Sequence, residues 1–456
     1  MGKLVARGAS RRDFLRLAAG AAAVAAGGVA CASGSDKPKA GSTAASGPKG
    51  RQTLRIVQWS HFVPAYDAWF DEDFVRRWGE EHDVEVVVDH IDFNDLPLRA
   101  DTEVSGGRGH DIFGFLFPAA CRFQEHVIDH REIVEEVQAK AGRMHPFVER
   151  SILNPKTGKY YGFSDFWTSS LVHYRTDLWN GIRPGRYEDT LQAGPGLKAG
   201  GHPLGFSLGE ADPDANCSLM GLLHAYGASI QDESANVSIN SPAAVEAVRV
   251  MAAVYQAGMT DETLTWDGAS NNRYLANGTG SLILNPISAV RAIEKQDPEL
   301  AAKVGLLPPP AGPAGNQGPY VIGTYVIWKF ARNPEVAKQF LVDLALASRD
   351  GLIHSEYYNL PSFPGVVPDL AAVLGADAVA QPPDKYAVLA EADEWTTNMG
   401  FPGSANVAVQ DVFDERIITR MFAAAVGGQL SPEEAVKAAE AEIRPIFDLW
   451  KERGQI

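Results

Sequence analysis

The chain has 456 residues and a formal net charge of −16 at pH 7. This charge repels nucleic acid and anionic membrane surfaces, and no basic run after residue 51 offsets it, so nucleic-acid binding is excluded. About 400 residues remain beyond the N-terminal region, too many for one compact core, which favours two lobes.

The N-terminal residues have the order of an export signal. Basic residues precede an Ala- and Gly-rich stretch from Leu15 to Ala30, which is too short and too weakly apolar for a permanent membrane anchor. Arg11 and Arg12, followed by Phe-Leu, are typical of a twin-arginine signal, which exports proteins already folded. We therefore predict a signal peptide over residues 1–31 and a location outside the cytoplasm.

The segment from Gly28 to Cys31 resembles a lipoprotein processing site, in which the cysteine becomes the lipidated first residue. Gly28 departs from the leucine usual in such sites, which leaves cleavage without lipidation open. Residues 32–51 are rich in Gly, Ser, Ala and Lys, the composition of a flexible linker. We predict a lipid tether at Cys31 on the outer face of the cytoplasmic membrane, with a free periplasmic protein as the alternative.

Two other cysteines, Cys121 and Cys217, lie in the body of the chain. Outside the cytoplasm they could pair, but their sequence context offers no disulfide framework. A buried thiol at each position is the favoured interpretation.

The segments after the linker alternate between strand and helix. Aliphatic runs at residues 53–59, 84–91 and 109–117 predict three strands, and the aromatic-rich stretch 65–82 predicts a helix. This alternation is the signature of a parallel sheet with crossover helices, so the sequence predicts an α/β fold. The alternation restarts after "FWTSSLVHYRTDLW", which predicts a change of lobe near residues 165–169.

Cap signals and apolar runs define the elements farther along. "NSPAAVEAVRVMAAVYQAG" predicts a helix opened by an Asn-Ser-Pro cap and closed by Gly258, and "NPEVAKQFLVDLALA" and "SPEEAVKAAEAEIRPIFDLW" predict two more capped helices. "SLILNP" and "YVIGTYVIWKF" predict buried strands.

The order and spacing of these segments resemble the maltose-binding-protein family of extracellular solute-binding proteins, from about Thr53 onward. The resemblance rests on "DIFGF", "GKYYGFSDFWTSSLVHYRTDLW", "YLANGTGSLILNPIS", "VGLLPPPAGPAG", "GTYVIWKFARNPEVAKQFL" and "GGQLSPEEAVKAA". It implies a type II periplasmic-binding-protein fold with a ligand cleft between two lobes, one built from residues 52–167 and 324–368, the other from residues 168–323 and 369–456. It also implies a monomer without catalytic residues, cofactor or metal, which delivers a sugar to the permease of an ABC importer.

Aromatic residues at strand ends are candidates for a sugar site. A sugar offers hydroxyls, which need polar partners, and apolar C–H faces, which pack on flat rings. In open α/β sheets, ligands bind at the carboxyl ends of strands. The aromatic candidates at such places are Trp59, Phe62, Phe117, Trp167, Trp266, Tyr325 and Trp395. For each ring the alternative is a place in the core.

The resemblance adds further candidates by position. They are Thr168, Glu210, Asp212, Asn285, Ser288, Gly323, Asn398 and Asn406. His61 is a candidate on separate grounds, because it lies beside two aromatic residues at the end of the first predicted strand and could donate to a ligand hydroxyl or carboxylate. Thr168 stands where the family often has a carboxylate or an aromatic residue, and Ser288 stands where it often has a stacking ring, so Trp266 or Trp395 is expected to supply the ring. For His61 the alternative is a cap on the following helix.

Other functions remain open on the sequence. The ligand could be another polar solute, such as a polyol, a glycerol phosphodiester or an organic acid, and the chain could be an exported carbohydrate-active hydrolase, whose carboxylate pair no motif singles out. Glu125, His126, Asp129 and His130 recur at helical spacing and could form a metal face, but a surface helix with alternating acids and imidazoles explains them better.

Overall fold

The computed structural model describes residues 51–319 and 321–456. The predicted signal peptide, Cys31 and all of the predicted linker except Arg51 lie outside these residues. Within the described part of the chain, no helix combines the length and the apolar composition that a membrane crossing needs.

Strands of two to eight residues build the sheets. They are β1 (Gln52–Trp59), β2 (Val84–Ile91), β3 (Ile112–Leu116), β4 (Phe166–Thr168), β5 (Leu171–Arg175), β6 (Leu204–Gly205), β7 (Leu282–Asn285), β8 (Val304–Leu307), β9 (Gly318–Pro319), β10 (Val321–Ile327), β11 (Leu360–Pro361) and β12 (Thr396–Thr397).

Helices connect and cover these strands. They are α1 (Pro64–Trp69), α2 (Arg76–Glu81), α3 (Leu96–Gly106), α4 (Arg131–Ala141), α5 (Pro146–Ile152), α6 (Tyr187–Ala199), α7 (Pro213–Ala225), α8 (Pro242–Gly258), α9 (Ser270–Ala276), α10 (Ser288–Gln296), α11 (Pro298–Ala301), α12 (Pro334–Leu346), α13 (Ser348–His354), α14 (Leu370–Leu374), α15 (Val407–Asp414), α16 (Ile417–Val426) and α17 (Pro432–Glu452). A π-helical segment, Phe70–Val75, joins α1 to α2, so the helix predicted over 65–82 is interrupted.

The first sheet contains six strands in the order β11-β4-β10-β3-β1-β2. Strand β1 runs parallel to β2 and β3, which confirms the parallel sheet predicted from the first three strands. Strand β10 then pairs antiparallel with both β3 and β4, and β4 pairs antiparallel with β11. The strands in each of these antiparallel pairs are more than 150 residues apart in the sequence. A local sequence pattern therefore could not predict that they pair.

The second sheet contains four strands in the order β6-β7-β5-β8. The chain leaves the first sheet at Thr168, enters the second at Leu171, and returns to the first at Val321. Strands β9 and β12 form a separate parallel pair on the connecting segments.

There are two hydrophobic cores among the described residues. One contains the buried hydrophobic residues of the first sheet together with Ile283 and Leu306 of the second, and the other contains Leu282 and Leu284 of the second sheet. The division of the chain between lobes given above stays a prediction.

Two of the three predicted helix caps form as side-chain hydrogen bonds, at α8 and α17. At the start of α12 the Asn333 side chain does not cap the helix and donates instead to the carbonyl oxygen of Thr53, at 2.9 Å. The Ser241 side chain accepts from the backbone N–H of Ala244 at the start of α8. At the start of α17, Ser431 and Glu434 form a reciprocal capping box. Each arrangement satisfies backbone donors that a helix leaves without partners at its N-terminus, which is why these short motifs predict helix starts well.

Cys121 and Cys217 are both free and buried, as predicted. Burial raises the pKa of both thiols, because a thiolate is costly in an apolar environment. Neither thiol is therefore activated as a nucleophile.

A buried histidine holds α3 against the first sheet. His110 Nδ1 lies 2.5 Å from Glu103 Oε1, and His110 Nε2 lies 3.0 Å from Asp89 Oδ2. Arg99 Nε also donates to Glu103, at 2.8 Å. Burial lowers the pKa of His110, but its contacts with Glu103 and Asp89 outweigh burial and leave that pKa raised. The imidazolium form thus stabilises the C-terminal turn of α3, a helix that begins just after two residues of the candidate site described below.

Replacing His110 by glutamine is expected to destabilise the protein by about 1–2 kcal/mol at pH 6. Because the folded-state pKa is raised, the contribution of the charged ring is complete below the unfolded value of about 6.5 and is lost as pH rises through the folded value. Urea unfolding of both proteins at pH 6 and pH 9 measures this. A difference in unfolding free energy of the same size at both pH values would contradict the role of the charge. His202→Gln, which removes a partly exposed ring bonded to one backbone carbonyl, is the control with little expected effect.

Candidate functional site

A cavity of about 500 Å³ lies where strands of both sheets end. Phe62 follows the end of β1 by three residues, and Phe93 follows the end of β2 by two. Phe117 comes directly after β3, and Asn285 is the last residue of β7. The cavity therefore occupies the position in which open α/β sheets bind ligands.

Aromatic rings form the wall on the side of the first sheet. Phe62 contacts Phe93 and Tyr358 edge to face, with ring centroids 5.8 Å and 6.1 Å apart. Phe62 is 47% exposed even though it belongs to this aromatic cluster. Trp59 lies behind it at 4.8 Å and supports the ring from the core. A flat apolar surface is thus presented to the cavity.

Phe117 adopts a left-handed backbone conformation, with φ of 60°. Such a conformation costs a bulky residue about 1–3 kcal/mol and persists only where the surrounding structure imposes it. The ring packs 5.1 Å from Phe413 in α15, and Phe117 contacts both hydrophobic cores. The strained turn places this ring at the junction of the two cores and the cavity.

A network of amides and a carboxylate forms the opposite wall. Asn272, Asn285 and Asp214 line the cavity. The buried Asn271 donates from Nδ2 to Asp214 Oδ2 at 3.1 Å and to Asn285 Oδ1 at 3.4 Å. Asn285 donates in turn to Asn272 Oδ1. These bonds fix the orientation of polar groups suited to hydroxyl partners.

Asp214 forms a pair with Asp212 at the start of α7. Asp212 caps the helix, because its Oδ1 accepts from the backbone N–H of Asp214 at 2.9 Å, and Ser207 Oγ donates to its Oδ2 at 2.5 Å. Burial raises the pKa of both carboxyls, and the charge of Asp214 raises that of Asp212 further. Asp212 is a helix cap behind the wall, while Asp214 is on the wall itself.

The charge of the cavity is negative. The described residues that line it include two carboxylates, Asp214 and Asp267, and no Lys, Arg or His. Asp267 is balanced by Arg273, whose Nη2 donates to it at 2.9 Å. The pKa of Asp267 is lowered by hydrogen bonds from Ser270, the backbone of Ala269 and Arg273. Asp214 has no such cationic partner among the described side chains.

Four of the residues predicted from the sequence line this cavity. They are Phe62, Phe117, Asn285 and Ser288. Glu210 is exposed and does not line the cavity, but the next residue, Ala211, does. Whether any of them contacts ligand stays a prediction.

The other predicted aromatic residues are buried away from the cavity wall. They are Trp59, Trp167, Trp266, Tyr325 and Trp395. Trp167 Nε1 donates to the carbonyl oxygen of Pro361 at 3.1 Å, Trp395 Nε1 donates to Ser169 Oγ at 3.0 Å, and Tyr325 donates to Gln58 Oε1 at 2.8 Å. Trp266 packs against Tyr274 at 4.9 Å. Trp167, Trp395 and Tyr325 therefore each have a hydrogen-bond partner within the protein.

Three other predicted polar side chains, those of His61, Asn398 and Asn406, have partners inside the protein. His61 Nε2 lies 3.0 Å from Asn359 Oδ1, and burial lowers the pKa of this ring to about 4. Asn406 caps α15, and Asn398 Nδ2 donates to the carbonyl oxygen of Gly403 at 2.9 Å. Thr168 lies in β4, and Gly323 lies in β10 against the ring of Phe166, where a side chain would clash.

Several wall residues were not predicted from the sequence. They are Phe93, Asn94, Asp214, Asn272 and Tyr358. The polar break "DFND" after the second predicted strand was a usable signal for Phe93 and Asn94, because it follows a strand end as Phe62 does. Asp214 and Asn272 lie on helices, and Tyr358 lies beside a two-residue strand. The local sequence pattern at these places does not indicate a cavity.

The hypothesis of a metal face over residues 125–130 is wrong, and so is the predicted surface helix. Helix α4 begins only at Arg131. The ring of His130 is buried, with Nδ1 3.1 Å from the carbonyl oxygen of Tyr160 and Nε2 accepting from the backbone N–H of Ile327 at 2.9 Å. Both ring nitrogens of His130 are therefore occupied by backbone groups.

Comparison with known proteins places the chain in a family. Residues 73–383 match the family described as bacterial extracellular solute-binding protein. A Brucella abortus protein named as a binding protein is 25% identical over 307 residues, which are 65% of this chain and 72% of that protein. An ABC transporter-binding protein of Deinococcus radiodurans is 22% identical over 47% of this chain and 53% of its own length.

The maltose-bound MalE3 protein of T. maritima has the same two-lobed α/β fold, which confirms the fold predicted from the sequence. The TM-score is 0.70 at 18% identity, over 86% of this chain and 99% of MalE3. Fold, cavity position and family match agree, and the chain belongs to the bacterial extracellular solute-binding proteins.

Proposed function

We propose that this protein captures a sugar or oligosaccharide outside the cytoplasm and delivers it to the permease of an ABC importer. The observation that carries the proposal is the composition of the cavity: aromatic rings on one wall and an amide–carboxylate network on the other. A sugar ring needs both kinds of surface, because its C–H faces pack on aromatics while its hydroxyls exchange hydrogen bonds with amides and carboxylates.

The relatives support the same proposal. The MalE3 protein of similar fold binds maltose, and the Deinococcus relative is named for an ABC transporter. A polyol would use the same hydroxyl chemistry and is the alternative ligand class. Glycerol phosphodiesters and organic acids fit less well, because a negative ligand would meet Asp214 and Asp267 with no basic side chain among the described wall residues.

A thermal-shift screen tests this function. Sugars and polyols are added to the purified protein, and chromatography then shows whether each stabilising compound is recovered intact. A ligand at 100 times its Kd should stabilise the protein by about 2.7 kcal/mol. The absence of any shift with sugars or polyols would contradict the proposal, and conversion of a ligand to products would favour an exported hydrolase instead.

Ligand is expected to draw the two lobes together. Two connecting segments join the sheets: residues 168–171 and the stretch from β8 to β10. A third segment, around β12, leads from β11 of the first sheet to helices α15 to α17. A ligand that touches both walls favours the closed arrangement by its differential contacts. Small-angle scattering should show a smaller radius of gyration at saturating sugar. An unchanged radius would count against closure.

Cys31 is proposed to carry a lipid anchor after twin-arginine export. Cys31→Ala should move the protein from the membrane fraction to the soluble extracytoplasmic fraction, and replacing Arg11 and Arg12 by lysine should leave precursor in the cytoplasm. Cell fractionation with immunoblotting measures both. A Cys31→Ala protein that remains on the membrane would contradict the anchor, and normal export of the lysine variant would contradict the signal type.

A further inference from the structure

We infer that the ligand of this cavity carries a protonated amine, as an amino sugar does, and that the ammonium group faces the carboxylate of Asp214. This inference rests on the proposed function for the sugar scaffold and adds the charge of the ligand. Three observations lead to it: the unbalanced carboxylate, the aromatic wall opposite, and the way the neighbouring charges are already paired.

Asp214 is the wall carboxylate that has no cationic partner among the described side chains. Its only side-chain hydrogen bond in the described part of the chain comes from the neutral amide of Asn271, at 3.1 Å. The other wall carboxylate, Asp267, is already paired with Arg273. A partly buried carboxylate without a cation is less stable than a paired one, and a cationic ligand would supply the missing partner.

The aromatic wall faces this carboxylate across the cavity. Tyr358 and Asp214 both line the cavity. Burial, and then the charge of Asp214, raise the pKa of Tyr358. Phe62 and Phe93 continue the wall beside Tyr358. Aromatic faces attract ammonium groups as well as C–H groups, so one amino sugar can use the rings and the carboxylate together.

Asp212 and Arg416 are other titratable groups in this region. Burial, and then the charge of Asp214, raise the pKa of the Asp212 carboxyl, and Arg416 lowers it by a smaller amount. The Cys217 thiol, near both carboxylates, has its pKa raised by burial and stays neutral. Among the described side chains, Arg273 forms an ion pair with Asp267, and no Lys, Arg or His forms one with Asp214.

The test compares sugars that differ in one group. Glucose, glucosamine and N-acetylglucosamine, and the corresponding β-1,4-linked disaccharides, are titrated by calorimetry at pH 7. The free-amine form should bind about 10- to 100-fold more tightly than both neutral forms, because an ionic hydrogen bond replaces a neutral one. In Asp214→Asn this preference should disappear, whereas Asp267→Asn, the matched control, should keep most of it.

The pH dependence gives an independent readout. An ammonium at Asp214 lowers the pKa of that carboxyl, so affinity for the amine should fall from pH 7 to pH 5, where the ligand amine itself stays protonated. The neutral sugars should show a smaller change.

The possible outcomes separate this inference from the proposed function. Neutral sugars that bind as tightly as their amines would overturn the inference and leave the sugar-binding function standing. An amine preference that survives in Asp214→Asn, in a protein with normal melting temperature, would overturn the assignment to Asp214. Failure of every sugar and polyol, charged or neutral, would overturn both.

Discussion

Alanine at Phe62 is expected to weaken ligand binding by about 1–3 kcal/mol, which is about 5- to 150-fold in Kd. The ring lies on the cavity wall and is 47% exposed, so its loss removes a stacking surface without opening a hole in the core. The melting temperature should therefore stay close to that of the unchanged protein. Calorimetric titration and thermal unfolding of the same sample measure the two quantities.

Leu98→Ala is the control for Phe62. Leu98 is 71% exposed in α3 and does not line the cavity, so neither binding nor stability should change appreciably. Wild-type affinity in Phe62→Ala, with the cavity otherwise intact, would show that ligand does not stack on this wall.

Alanine at Trp395 is expected to have the opposite effect. The indole is 5% exposed, and its Nε1 donates to Ser169 Oγ at 3.0 Å on a segment that connects the two sheets. Removing a large buried ring costs about 3–5 kcal/mol through lost burial and the cavity left behind. Chemical unfolding should show this loss, while the affinity of the folded fraction stays within about threefold of wild type, a change below about 0.7 kcal/mol.

The two variants are expected to separate ligand affinity from stability, because each should change one and leave the other nearly unchanged. If Trp395→Ala kept its stability but lost ligand, the ring would belong to the site, as its aromatic type and position suggested from the sequence. Loss of both properties in Phe62→Ala would mean that this ring supports the fold as well as the wall.

The tryptophans show why the sequence could not separate the site from the core. Trp167 and Trp395 are predicted for the wall from their positions at strand ends, and polar residues such as Thr168 and Asn398 lie near them in the sequence. In the structure, the indole N–H of each ring has a partner within the protein, the carbonyl oxygen of Pro361 and the hydroxyl of Ser169. A buried tryptophan needs such a partner as much as a ligand-binding one does. Polar neighbours therefore do not distinguish the two environments.

Local patterns predicted the elements better than their assembly. Strands β1, β2 and β3 and the caps at Ser241 and Ser431 depend on short-range periodicity and hydrogen bonding, and they form as predicted. The polar wall depends on contacts between residues far apart, because Asn271 meets Asp214 across 57 positions. No spacing rule joins such residues before the fold is known.

The most direct test of the central claim is a crystal structure of the protein with the saccharide that gives the largest thermal shift. We predict ligand density in the 500 Å³ cavity, with a sugar face on Phe62 and Tyr358 and hydroxyls or an amine within hydrogen-bond distance of Asp214 and Asn272. Ligand density confined to another surface, with this cavity holding only solvent, would contradict the account.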